Sequence, residues 1–190
     1  MSETSKLYSK EKFLYKEINS FYTKIDKKDV GRIIDIINGE SQLSLRLFDW
    51  YVTQYVKHHV VNCNNTEGEP TTVYISYKSM LDVYKKIFFD PFCRSKNGFS
   101  NKFTYNYDKK DKTKVIKTSI CQLNFFMWAL QTKLVDIINK DYENLSKEMC
   151  NYYKQIKQKK KDKTDSSDDS DHKYTQPAMP IPAELEIEFD

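Results

Sequence analysis

With 190 residues, 39% hydrophobic content, 14 Tyr and 11 Phe, the chain holds enough large apolar side chains to fill one core of about 150 residues. Met1-Ser2-Glu3-Thr4-Ser5 lacks the apolar run of a signal peptide, and no stretch of about 18 apolar residues follows, which argues against export and membrane insertion. The formal charge is only +4, but residues 164–190 hold one lysine against eight acids, so the rest of the chain is far more basic than that value suggests.

Phe13, Leu14, Ile18, Phe21, Tyr22 and Ile25 recur at spacings of three and four, which predicts an amphipathic helix over 10–25. Asp29 is the expected cap of a second helix carrying Val30, Ile33, Ile34 and Ile37, with Asn38-Gly39 as its stop. Ser41 or Ser44 caps a third helix running through His58. Its apolar band of Leu47, Phe48, Trp50, Tyr51, Val52 and Tyr55 is wider than one stripe, so it is the expected central helix. After a polar loop from Asn62 to Pro70, the β-branched and aromatic run Thr72-Val73-Tyr74-Ile75 predicts a short strand, and a helix follows from about Lys78 to Phe88.

Asp90-Pro91 ends that helix, because the residue before proline is pushed out of the helical region. Phe103, Tyr105 and Tyr107 then alternate with polar residues, residues 108–112 turn the chain, and Lys114 to Thr118 returns, predicting a β-hairpin at about 102–118. Ser119 caps the longest helical stretch, with Leu123, Phe126, Met127, Leu130, Leu134, Ile137 and Ile138 inward. After a break near Lys140 the helical spacing continues through Tyr142, Leu145, Met149, Tyr152 and Ile156.

The expected fold is therefore mainly α with a small β component, a short strand plus a β-hairpin, in a single globular domain over residues 1–156. A disordered linker over 157–178 is expected next, basic at Lys157, Lys159, Lys160, Lys161 and Lys163 and acidic and serine-rich from Asp165 to Asp171. Residues 179–190 close the chain with Leu185, Ile187 and Phe189 alternating with Glu184, Glu186 and Glu188. In an extended conformation the three apolar side chains share one face, as in a peptide that adds a strand to a partner protein or folds back on its own domain.

Two features carry the functional expectation. The hairpin region has Arg94, Lys102, Lys109, Lys110, Lys112, Lys114 and Lys117 as candidate phosphate contacts, with Phe103, Tyr105 and Tyr107 either stacking on the bases of DNA or RNA or facing the core. The acidic tail can compete with a polyanion for the basic body, and Ser166, with Asp169 three residues on, fits an acidophilic phosphorylation pattern. Nothing points to catalysis or to a cofactor. His58 and His59 are adjacent and diverge on a helix, the four cysteines lie about thirty residues apart without metal-ligand spacing, and no phosphate-cradling glycine loop or nucleophile elbow occurs. Cys93 beside Arg94 has the cation that activates a thiol but no evident base, so a structural cysteine is expected.

Ile37-Asn38-Gly39-Glu40-Ser41, Leu43 to Thr53, Phe89-Asp90-Pro91-Phe92-Cys93-Arg94 and Gln122-Leu123-Asn124-Phe125-Phe126 resemble segments of an uncharacterised protein family of nucleocytoplasmic large DNA viruses, over roughly residues 15 to 150. The resemblance implies a role in a virus factory of the host cytoplasm or in the virion. The resulting expectation is a non-enzymatic viral binding protein, its basic body on nucleic acid or another acidic surface and its C-terminal peptide on a viral protein. The alternative is a structural, virion-associated component without nucleic-acid binding.

Overall fold

A computed structural model describes residues 9–94 and 102–164, and the chain divides into two units, residues 1–152 and 153–190. Helix α1 (Ser9–Lys24) buries Leu14, Ile18 and Tyr22 on one face, as their spacing requires. In α2 (Lys27–Asn38) the cap is Asp26 rather than Asp29: its carboxylate accepts from Lys28 N at 2.8 Å, while Asp29 sits inside the first turn. Gly39 ends the helix at φ 78°, where its N–H reaches Ile36 O and Glu40 N reaches Asp35 O at 2.8 Å, a closure that favours a residue without Cβ.

Ser44 caps α3 (Leu45–Trp50) by accepting from Leu47 N. The helical path then widens into a π-helical segment, Tyr51–Tyr55, before α4 (Val56–His58). Strands β1 (Asn62–Asn64) and β2 (Pro70–Thr72) form an antiparallel hairpin closed by Asn65, whose side-chain oxygen accepts from Glu67 N and Glu69 N. This corrects the expected single strand over 72–75. Thr72 Oγ1 accepts from Ile75 N, so threonine acts as an N-cap and Val73, Tyr74 and Ile75 become the first turn of α5 (Val73–Phe88). A cap bond satisfies an otherwise orphaned donor, which outweighs the few tenths of a kcal/mol by which β-branched residues disfavour a helix.

The hairpin expected at 102–118 is present as β3 (Phe103–Asn106) and β4 (Val115–Thr118), paired Phe103 with Thr118 and Tyr105 with Ile116. Ser119 caps α6 (Ile120–Gln131) through Gln122 N. Every residue of α6 from Ile120 to Ala129 is buried, so α6, not the helix after Ser44, is the central element. A helix apolar all round has no solvent face to show. It breaks at Lys133, a left-handed residue at φ 57°, and resumes as α7 (Leu134–Lys140) and α8 (Tyr142–Thr164). Because α8 runs on to Thr164, the basic block from Lys157 to Lys163 is helical and does not begin a linker.

Two regions of core meet on α6. On one side Tyr105 and Ile116 of the hairpin pack with Ile18 and Tyr22 of α1 and Val30 and Ile34 of α2. On the other, Phe48, Phe89, Phe125, Phe126 and Trp128 form edge-on and tilted ring contacts with centroids 5.3–6.4 Å apart. Buried amides fasten the turn after α5 to this helix: Gln122 Nε2 donates to Pro91 O at 2.8 Å and Asn124 Nδ2 to Phe88 O at 2.9 Å. Among the described residues no helix is long and apolar enough to cross a membrane.

Candidate nucleic-acid interface

The β3–β4 hairpin takes its orientation from its aromatic face. Tyr105 is buried, and its ring meets Tyr15 and Tyr22 of α1 edge-on, while Phe103 packs against Tyr15 at 5.8 Å. With a period of two, the residues between them face away from α1. Thr104 and Lys117, which pair across the ladder, are accordingly exposed. The aromatics are thus core groups, and stacking on bases is not among the things this hairpin is arranged to do.

Lys102, Lys109, Lys110, Lys112, Lys114 and Lys117 are all exposed. The two aspartates among them are already engaged. Asp108 accepts from Lys27 Nζ at 2.7 Å and from Lys110 N, and these bonds hold its carboxyl below the usual carboxylate range. Asp111 accepts from the hydroxyl and the N–H of Thr113, with the same effect. Each carboxylate therefore serves to shape the turn, and the lysines project around it.

Arg94 is placed differently from these lysines. Its Nη2 lies 2.7 Å from Asp49 Oδ1 on α3, its Nε donates to Asp90 Oδ2 at 3.1 Å, and its guanidinium lies over the Phe92 ring. Partial burial opposes its charge, but the hydrogen bonds to Asp90 and Asp49 raise its pKa overall. The guanidinium is a clamp that holds the Asp90–Arg94 turn against α3. Leu185, Ile187, Phe189 and Ser166 lie outside the described residues.

Sequence reading missed two side-chain groupings. Along the π-helical segment the rings of Tyr51, Tyr55 and His59 stack at 4.9 and 4.0 Å, because one surplus residue per turn brings positions four apart into line. The second is a contact between the side chains of Cys93 and Cys121, 28 positions apart in sequence. Between the β1–β2 loop and the start of α7 lies an open cavity of about 420 Å³ with Asn62, Asn65, Thr66, Gln131 and Lys133 in its wall. Among the described residues that wall contains no carboxylate or imidazole. No cluster of three metal-ligating side chains occurs among the described residues either.

Over 157 residues the chain is 36% identical to "Uncharacterized protein L507" of Acanthamoeba polyphaga mimivirus, an alignment covering 77% of this chain and 59% of the relative. The chain thus spans less than two thirds of that relative's length, and the resemblance to a protein of large DNA viruses holds. No solved structure matches. Residues 2–188 match the Family of unknown function (DUF7197), and the chain belongs to that family.

Proposed function

We propose that this chain is a non-enzymatic binding protein whose lysine-edged hairpin contacts the phosphate backbone of a nucleic acid. The observation that carries the reading is the arrangement around β3 and β4. Six exposed lysines surround a turn whose two aspartates are occupied by Lys27 and Thr113, on a hairpin whose aromatic face is committed to α1. Lysine is a point charge on a flexible stem, so such a surface reads charge density and not base identity. Binding of this kind is salt-dependent and indifferent to sequence. The C-terminal alternating peptide, as the sequence describes it, is the proposed attachment to a viral protein.

The test is a salt titration of DNA and RNA binding by the full chain and by a variant with Lys109, Lys110, Lys112 and Lys114 changed to alanine. Each phosphate that the variant no longer neutralises lowers the slope of log affinity against log salt by about 0.9 on duplex DNA, so the variant slope falls by up to about 3.6. No binding at low salt by the unaltered chain, together with self-association that survives high salt, would overturn the proposal and favour a structural role in the particle.

A further inference from the structure

Cys93 sits at φ 57°, a left-handed conformation that a β-carbon disfavours and that turns of this kind normally give to glycine or asparagine. The turn is held there from several directions. Cys93 N donates to Asp90 O, Phe92 N and Arg94 N donate to the Asp90 carboxylate, and Arg94 ties that carboxylate to Asp49. A strained residue kept in place by its surroundings points to a use for its side chain. Here the side chain hydrogen-bonds to that of Cys121, on the first turn of α6. Cys121 is 1% exposed, and its Sγ lies 3.3 Å from Asp90 O and 3.6 Å from Lys86 O, so the thiol is pinned at the C-terminal end of α5. Cys93 is half-buried and is the member of the pair that solution reaches.

We infer that Cys93 and Cys121 are a thiol pair poised to form a reversible disulfide, with Cys93 as the peroxide-reactive thiol and Cys121 as the resolving one. The chemistry uses hydrogen peroxide as oxidant. The Cys93 thiolate attacks one peroxide oxygen, the O–O bond breaks, and the hydroxide released takes up a proton as water, leaving a sulfenic acid on Cys93. Cys121 Sγ then displaces the hydroxyl from that sulfur, and the thiol proton leaves with it as a second water. Two thiols lose two electrons and the peroxide gains them. A thiol reductant reverses the step by exchange.

Position gives the bond its consequence. Cys93 precedes and Cys121 follows the whole β3–β4 hairpin, so the disulfide closes a covalent ring around the segment that carries the exposed lysines. The inference stands on the contact and the turn geometry, and does not depend on what those lysines bind.

The experiment treats the folded full chain with hydrogen peroxide, traps remaining thiols with a maleimide under denaturing conditions, and digests with trypsin without reduction. The expected product is peptide 87–94 joined to peptide 118–133, with a mass lower by about 2 Da than the sum of the two, for the two hydrogens lost. Dithiothreitol restores both peptides. The oxidised chain melts at a higher temperature than the reduced one, since the ring restricts the unfolded state. Cys93→Ser, at a half-buried position, folds and gives neither the linked peptide nor the shift in melting. A Cys93 that accumulates as sulfinic acid, or that joins Cys63 or Cys150 in preference to Cys121, would overturn the inference, as would maleimide labelling of Cys121 undiminished by peroxide.

Discussion

At the scale of single residues, the two tryptophans occupy opposite situations. Trp128 is fully buried, and its indole N–H donates to Ser76 Oγ at 2.9 Å. Ser76→Ala strands that donor in the core and should cost about 1–3 kcal/mol, measured by denaturant unfolding, whereas adding Trp128→Phe to it removes the donor and recovers part of the loss. Trp50 is buried with its indole nitrogen unpartnered among the described residues, so Trp50→Phe loses ring area and no hydrogen bond. Tyrosines give a second prediction. Burial raises the pKa of Tyr22, Tyr51 and Tyr105, and raises that of Tyr77 to about 12. Because these folded values exceed the unfolded one, the associated stability is intact below about pH 10 and falls as pH rises beyond it. A titration of tyrosinate absorbance should therefore show exposed phenols ionising first and the buried group ionising together with loss of helical circular dichroism. A single smooth transition at the ordinary phenol value, without unfolding, would contradict this. None of these pairings is visible in sequence: Trp128 and Ser76 are 52 positions apart, and nothing in either neighbourhood names the other.

At the scale of elements, what could be read from the chain were signals that act locally. The apolar spacing of α1, the Asn38-Gly39 stop, the Ser119 cap and the alternation of β3 each depend on a few neighbouring residues, and each element appears where expected. The misreadings arise where two local signals compete or where packing decides. Thr72 is a good strand residue and a good cap, and the cap prevails. Thr72→Ala should destabilise the chain by about 1 kcal/mol and loosen the first turn of α5, visible as faster amide exchange at residues 73–76. The break at Lys133 carries no glycine or proline to announce it, and Thr132 Oγ1 bonds back to Trp128 O beside it. Asp108 and Asp111 set the pH response of the hairpin. Their carboxyls are held below the ordinary range, so what they contribute is present above about pH 4 and is lost as pH falls through the depressed folded values. Amide exchange in β3 and β4 should be unchanged between neutral and mildly acidic pH, after correction for intrinsic rates, and should accelerate only below that point.

For the molecule as a whole, charge is divided along the chain, with the lysines of the hairpin and of α8 followed by the acidic residues after 164. If the polyanion reading holds, removing residues 165–190 should raise affinity for nucleic acid at low salt, and the gain should shrink as salt rises, since a competing anion has been taken away. Equal affinity of the two forms at low salt would rule out competition by the tail. The candidate interface was legible as composition, because lysine counts need no coordinates. Which way the aromatics point and where Arg94 is committed required knowing that α1 covers one face of the hairpin and that α3 supplies Asp49. The π-helical segment has a consequence on the same scale. A π turn is an α-helix carrying one residue too many, so Tyr51–Tyr55 acts as a phase shifter between α3 and α4. Deleting any one of its five residues would restore α-helical spacing and rotate everything after it by about 100°, carrying Val56 out of the core and detuning the approach to β1. In this stretch of chain a loss of one residue is a larger change than most substitutions, and homologous chains should be free to vary its letters while keeping its length.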